Sequence, residues 1–543
     1  MRPAEREQTA GKLSLVTRKM ASALSESMIM QRRKLPIGIQ TFAKIRGEPY
    51  YYVDKTGFIR QLIDEGSQYF LSRPRRFGKS LLIDTLAELF AGNEPLFRGL
   101  AIHPDWDWRR RYPVVRLSFG GGVLHSREAL AEKSAALLSR NERYHGVSIG
   151  HGSLAERFYE LIATLHQQTG ERVVVLVDEY DKPILDNITD PEIAREMRDG
   201  LRNLYSVIKE AEAHIQFALL TGVSKFSKVS IFSGLNNLRD ITVSADYSAL
   251  CGYTEADLDQ VFAPELEGLD REAIRGWYNG YNWTGEAVYN PFDLLLLFQE
   301  RQFRPWWFET GTPSFLIDLV TQRHSFLPQL EQREGDEELL SSFEIGDQSI
   351  DALMFQTGYL TITATENLGG SIYYILGYPN REVREAFTGA LLRHWSPDPQ
   401  ATVRGRMQLY RLLEANDFAG MQQLFSALFA SIPHDWYCNN PIAQYEGYYA
   451  SVFYAYFASL GLDLIPEAGS NAGRLDLTLR FNGQVYLFEF KVVELEPQGR
   501  ALQQIKDRGY AAQYRAAGQP LHLIGVEFSR EQRTVVGFEV ESG

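Results

Sequence analysis

The sequence predicts an α/β multidomain protein, on three observations. In the N-terminal half, short apolar runs of the kind that form buried parallel strands stop at clusters of polar residues. In the C-terminal stretch a helix, three strands, a helix and a strand follow one another. Between them the pattern is mostly helical. The 543 residues are too many for one core, and 44% hydrophobic with 12% aromatic residues supply material for three or more packed domains.

Composition narrows compartment and partners. The formal net charge is −13, so contact with nucleic acid has to come from local basic surface and not from the overall field. The two cysteines, Cys251 and Cys438, have neither metal-ligand spacing nor a disulfide framework. That points to a reducing, cytoplasmic setting. No apolar run approaches the ~20 residues that span a bilayer, so no membrane contact is expected. The first residues also lack the continuous apolar stretch of a secretory signal. Residues 1–34, which end in Arg32-Arg33-Lys34, read as a disordered basic tail, with a nucleic-acid-touching arm as the alternative.

Tyr69-Phe70-Leu71 signals the first buried strand. It leads into Ser72-Arg-Pro-Arg-Arg-Phe-Gly-Lys-Ser80, and then a helix pattern with Leu81, Leu82, Leu86, Leu89 and Phe90 on one side. Strand, loop, Gly-Lys-Ser and helix is the context of a P-loop that cradles phosphates. Lys79 would reach the β- and γ-phosphates and Ser80 would hold Mg²⁺. Arg75, Arg76, Phe77 and Gly78 complete the loop, where the helix N-terminus offers N–H donors to the anion. Arg73 stands where the pattern has its first glycine, and Pro74 has no N–H. The loop entrance therefore has to be rearranged, or the stretch is only a basic loop.

Arg172-Val-Val-Val-Leu-Val177 is an unbroken β-branched run typical of a central parallel strand. It ends in Asp178-Glu179, where Asp178 would bind Mg²⁺ through water and Glu179 would orient or deprotonate the attacking water. A third strand, Gln216-Phe-Ala-Leu-Leu220, ends in Thr221, a position from which a polar residue can sense the γ-phosphate. Both motifs in order, each at the C-terminal end of a strand, predict binding of ATP or GTP.

Thr254 to about Leu340 reads as a helical lid broken by Gly276, Asn279-Gly280, Asn290-Pro291 and Thr312-Pro313. Its Trp306-Trp307-Phe308 cluster is core by ordinary burial preference, with base stacking as the alternative. A helix at residues 351–357, a hairpin around Asn367-Leu-Gly-Gly370 and a helix from Asn380 suggest a winged-helix-like module. With few basic residues on its recognition helix, an internal packing role is favoured over DNA binding. Residues 414–435 read as a helical bridge.

In the C-terminal stretch, Gly473-Arg-Leu-Asp476 and Tyr486-Leu-Phe-Glu489-Phe-Lys491 flank the tight-turn signal Asn482-Gly483. Alternation along the strand puts Glu489 and Lys491 on one face and Phe488 and Phe490 on the other. Folding back brings Asp476 toward Glu489, and two hard carboxylates suit Mg²⁺ or Mn²⁺. Glu-x-Lys alone is weak, since it is more often the wet face of a strand with an ion pair. The surrounding order of elements, with Glu446 at the start of the preceding helix and Gln504 and Tyr510 behind, strengthens it. This constellation resembles the PD-(D/E)XK nuclease superfamily, with Leu475 in place of the proline.

Leu35-Pro-Ile-Gly-Ile-Gln-Thr-Phe42, Tyr52-Val-Asp54-Lys55-Thr56, the 72–80 loop and Asp178-Glu-Tyr-Asp-Lys-Pro-Ile184 resemble the prokaryotic AAA-ATPase-like family. Its members carry a C-terminal PD-(D/E)XK nuclease domain. The resemblance runs through Trp277-Tyr-Asn-Gly-Tyr281, Thr310-Gly-Thr-Pro-Ser-Phe315 and Phe355-Gln-Thr-Gly-Tyr-Leu360, so it covers nearly the whole chain after Leu35. The arginine-rich loop is that family's own form. Expected are a P-loop parallel-sheet ATPase core (35–250), a helical lid (251–340) and a winged-helix-like module (341–400). A helical bridge (401–440) and a restriction-endonuclease-like α/β domain (441–543) follow.

The resulting expectation is an ATP-binding, ATP-hydrolysing protein coupled to a metal-dependent nuclease acting on nucleic acid, DNA favoured over RNA. Glu179 would be the catalytic group of the first site. Asp476, Glu489 and Lys491 would serve the second, with Glu446 adding a metal ligand or supporting contact. A nucleotide-dependent switch or scaffold with an inactive nuclease fold is the alternative, and the reading is compatible with a homo-oligomer.

Overall fold

The computed structural model describes residues 32–543 apart from 226–236, 312–313, 323–325, 342, 346, 397, 432–445, 471–472, 516–517 and 533. The basic tail expected over residues 1–31 lies outside the described residues, as does Cys438. Arg32 and Lys34, read as the end of that tail, are tied down instead. Lys34 bridges to Tyr50 along the backbone and pairs with Glu48 at 2.7 Å, and Arg32 reaches Glu265 at 3.8 Å.

β1 (Gln68–Ser72), β2 (Val114–Ser118), β3 (Val173–Asp178), β4 (Ile215–Gly222) and β5 (Arg239–Asp240) form an all-parallel sheet in the order β2-β3-β4-β1-β5. β1, β3 and β4 are buried along almost their whole length, which is why they read as continuous apolar runs without alternation. α1 (Lys79–Phe90), α2 (Arg127–His145), α3 (Leu154–Thr169) and α4 (Pro191–Glu210) accompany this sheet. Their starts follow capping rules: Ser153 and Glu156 form a reciprocal capping box, and Asp190 accepts from the N–H groups of Glu192 and Ile193. β4 lies between β1 and β3, so the ends of all three central strands open onto one edge, the usual ligand edge of such sheets.

A second core joins the helices after residue 254 to the N-terminal segment, with Tyr51 and Val53 packed against Leu258, Phe262, Ile274 and Leu294 of α5 (Pro291–Glu300). Next come β6 (Arg333–Asp336), the two-residue strands β7 (Phe343–Glu344) and β8 (Asp347–Gln348), α6 (Ile350–Thr357), β9 (Thr361–Leu368), β10 (Ser371–Gly377) and α7 (Arg381–Trp395). β6-β10-β9 is an antiparallel sheet whose β6 comes from before residue 341, inside the stretch read as helical. Trp307 and Phe308 are 2% and 8% exposed and belong to the core, so base stacking by them is ruled out by burial.

The C-terminal sheet runs β11-β12-β13-β14-β15: β11 (Asp463–Ser470), β12 (Gly473–Phe481), β13 (Gln484–Val493), β14 (Leu521–Ser529) and β15 (Val535–Ser542). Only β13 and β14 are parallel. α8 (Phe418–Ser431) and α9 (Glu446–Ala458) cover one face with aromatic rings. Phe425 stacks on Phe453 at 3.7 Å between centroids, and Phe429 meets Phe528 at 5.2 Å. The helix expected as a bridge is thus a layer of this domain. α10 (Arg500–Asp507) covers the opposite face over Val485, Leu487 and Leu523. A side chain at Gly525 would run into the Leu502 backbone, so the helix lies directly on β14. Glu527, 2% exposed, accepts from the N–H groups of Gly499, Arg500 and Ala501 and anchors the start of α10. No helix among the described residues is long and apolar enough to cross a membrane.

Candidate functional site

At the end of β1 the backbone of Arg73 continues sheet pairing to Gly222 O at 3.1 Å, and its side chain turns inward to 0% exposure. The guanidinium donates to the carbonyls of Ser72 (2.9 Å), Thr242 (2.8 Å) and Tyr247 (3.1 Å) and lies 3.9 Å from the Trp283 ring. Burial lowers its pKa to about 10. The residue that broke the glycine pattern is a buried strut fastening the loop to the distant segment around Thr242 and Tyr247. Arg76 (φ 70°) and Gly78 (φ 91°) then curl the loop into α1. Phe77 packs 4.7 Å from Tyr281. Lys79, 7% exposed, donates to Arg73 O at 2.7 Å and Pro74 O at 2.9 Å, and burial pushes its ammonium down.

At the end of β3 Asp178 accepts from Thr221 Oγ1 on β4 at 2.8 Å. Glu179 sits in the left-handed region (φ 52°), uncommon outside glycine and a mark of strain held by its surroundings. Burial, then the charge of Asp178, raises its pKa. Asp181, 1% exposed, accepts from Val223 N, Ser224 N and Ser224 Oγ at 2.6–3.0 Å and locks the end of β4 to this turn.

Arg75, Arg76, Gly78, Lys79, Ser80 and Glu179 line a cavity of about 620 Å³. Asp178 and Thr221, 8% and 0% exposed, bond to each other beneath the surface. The same cavity has an apolar lining from Ile39, Tyr51, Val53, Leu250, Phe292 and Leu295. Charged loop residues and apolar side chains around one cavity fit a phosphorylated heterocycle. The wall residues were missed as site residues because they come from distant segments, although the Leu35–Phe42 motif had marked one of them. Asp54 is structural: it accepts from Thr56 and from Ala101 N. Lys55 lines the cavity and pairs with Asp257 at 2.6 Å.

The middle of the chain grips the loop. Trp307 Nε1 donates to Arg75 O at 3.1 Å, and the Gln356 side chain accepts from Lys225 N at 3.0 Å. Gly358 (φ 90°) ends α6, and a Cβ there would strike the Pro74 ring at 2.7 Å. The 355–360 motif is thus a buttress behind the loop, a role invisible from its own spacing.

The second site is built on β12 and β13. Asn482 (φ 48°) and Gly483 (φ 75°) make the two-residue turn. Phe488 and Phe490 turn into the aromatic layer, while Glu489 and Lys491 face the α10 side. Asp476 Oδ2 accepts from Phe490 N at 2.7 Å. Glu489 is 1% exposed. Its Oε1 takes the Gln504 amide and lies 3.2 Å from Lys491 Nζ, and its Oε2 receives no hydrogen bond from a described residue. Burial first, then Asp476, pushes Glu489 up to about 7. A buried carboxylate with one oxygen unserved beside a second carboxylate fits a hard divalent cation, for which one or two carboxylates with water and substrate oxygens suffice. Among the described residues no group of three or more His, Cys, Asp or Glu side chains is arranged to hold a metal ion. The Glu446 side chain, the expected further ligand, lies outside the described residues, although α9 does begin at Glu446.

Glu489 also costs stability when no cation is bound. A model-peptide Glu has a pKa of about 4.3 and each unit is worth roughly 1.4 kcal/mol. With the folded value raised, its relative stability is full below about pH 4 and is lost as pH rises through about 7. Glu489→Gln, in chelator, should therefore be more stable than wild type at alkaline pH by about 1–3 kcal/mol and melt higher, with the gap closing near pH 4. Calorimetry across pH checks it; equal midpoints at alkaline pH would remove the buried-charge reading.

A parallel-sheet ATPase core joined to a restriction-endonuclease-like domain is the class of protein this fold and these sites define. Residues 36–232 match the family described as Predicted AAA-ATPase, and residues 444–538 match the PD-(D/E)XK nuclease superfamily. An uncharacterized protein in the vnfD 5′ region of Azotobacter chroococcum mcd 1 is 67% identical over 514 residues, 94% of this chain and 100% of that relative. The chain belongs to the AAA-ATPase-like family and ends in a PD-(D/E)XK nuclease superfamily domain.

Proposed function

We propose that the protein binds and hydrolyses ATP and that its C-terminal domain is a nuclease, dependent on Mg²⁺ or Mn²⁺, that cleaves phosphodiester bonds in DNA in the cytoplasm. The observation that carries the nuclease is Glu489, a carboxylate held in the dry interior with Asp476 and Lys491 around it. A buried carboxylate repelled by a second one, with its pKa raised, is the kind of group that a cation or substrate puts to use. A bound divalent cation would polarise the scissile phosphate and acidify a water. Asp476 and Glu489 would hold it, Gln504 fixes the Glu489 rotamer, and Lys491 would face the charge that grows on the phosphoryl oxygens. The test is incubation of purified protein with supercoiled, linear and single-stranded DNA and with RNA, with each metal, with and without ATP. Cleavage that needs metal and an intact Asp476 supports the reading; silence on every substrate sinks it.

The ATPase half rests on the cavity that joins Lys79, Ser80 and Glu179 to the apolar wall. Lys79 and the α1 N-terminus would hold the phosphates, Ser80 and Asp178 a cation, Thr221 the orientation of Asp178, and Glu179 the attacking water. Glu179→Gln keeps size and hydrogen bonding but cannot accept a proton. It should lower kcat by about 10²–10⁴ while nucleotide affinity holds. Steady-state phosphate release checks this, and an unchanged kcat removes Glu179 from the chemistry.

A further inference from the structure

The interior holds a pair of acids that neither site uses. Asp293 lies in the first turn of α5 and Glu382 in the first turn of α7, and both are 0% exposed. Their carboxyl groups face each other within hydrogen-bond reach. Glu382 Oε1 accepts from the Trp307 backbone N–H at 2.8 Å. Glu382 Oε2 and both Asp293 oxygens lack a donor of ordinary geometry among the described residues. Two carboxylates have no proton to give each other, so the contact closes only when the pair holds one. Burial, and for Glu382 also the neighbouring acid, raises Asp293 to about 7 and Glu382 well above the usual carboxylate range.

Each acid stands beside a residue that touches the arginine-rich loop. Trp307, whose backbone N–H holds Glu382, gives its indole N–H to Arg75 O at 3.1 Å. Phe292, adjacent to Asp293, lies under the Arg76 guanidinium at 4.5 Å and lines the cavity. The ionisable groups facing the pair are Tyr278 and Tyr281, both kept neutral by burial, with Tyr359 packed on Trp307 behind them. Arg384 of α7 turns away to Leu462 O and Glu331, and Arg381 to Glu385.

We propose that Asp293 and Glu382 are positioning residues for nucleotide binding. With at least one proton between them, they fix Trp307 and Phe292 against Arg75 and Arg76; when the last proton passes to water, the repelling dianion loosens the loop. This rests on the nucleotide-binding reading above.

The test is the affinity of the full-length protein for ATP from about pH 6 to about pH 10, which starts below loss of the first proton, at about 7 for Asp293, and runs upward toward loss of the last. Wild type should weaken about tenfold across it. Asp293→Asn, which keeps the shape and cannot form the dianion, should weaken distinctly less. Glu382→Gln makes the same comparison should the first variant fold poorly. Trp307→Phe should bind more weakly at every pH, by up to about tenfold, because it loses the indole donor while keeping most of the packing. A pH profile shared by wild type and both amide variants overturns the proposal, as does a flat wild-type profile. Failure of wild type to bind ATP at any pH overturns the nucleotide reading itself and the proposal with it.

Discussion

Asp476→Asn should lower metal-dependent cleavage by about 10³-fold or more, the largest effect expected of any single change. A metal ion in such a site contributes several kcal/mol of transition-state stabilisation, and each 1.36 kcal/mol is tenfold in rate. Asparagine is preferred to alanine because Asp476 Oδ2 also accepts from Phe490 N at 2.7 Å. Alanine would leave that N–H unsatisfied, at a cost of about 1–3 kcal/mol, and confuse loss of fold with loss of chemistry. The amide keeps an acceptor and removes only the charge. Relief of repulsion on Glu489 should leave the variant at least as stable as wild type without metal. Single-turnover cleavage beside a thermal melt reads both, and wild-type cleavage by the variant would mean that Asp476 holds no metal.

Lys79→Ala should weaken nucleotide binding by about 10²-fold or more. A hydrogen bond to a charged group is worth about 1.5–3 kcal/mol, and an ammonium among phosphates makes more than one. Without nucleotide, Lys79 donates to the carbonyls of Arg73 and Pro74, which alanine leaves to water from the cavity it lines. The fold should survive, because Arg73 fastens the loop independently through three other carbonyls. Equilibrium binding of ATP checks the expectation. Unchanged affinity would return the Gly-Lys-Ser stretch to the status of a basic loop.

The geometry of both candidate sites was legible because their parts are local. Alternation from Tyr486 to Lys491 and the Asn482-Gly483 turn needed only the strand period and turn chemistry to put Glu489 beside Lys491 and bring Asp476 back across. The β-branched run of β3 announced its own burial and its polar end. Less local features misread. Residues 32–34 looked like tail because nothing near them in sequence shows Glu265 or Glu48 waiting as partners. α8 looked like a bridge because its apolar face finds Phe453 and Phe528 only after the sheet has formed. β6 hid in a helical stretch because its partner β10 lies far along the chain.

The sequence by itself determined which residue types stand at each strand end and which face each strand presents, since side-chain periods and turn preferences act over a few residues. Only the tertiary structure decided what surrounds them. It made Arg73 a buried strut on Thr242 and Tyr247, lined the cavity with Ile39 and Tyr51, set Trp307 and Gly358 against the loop and buried Glu489. Burial and electrostatics depend on everything within a few ångströms, and most of those neighbours arrive from elsewhere in the chain.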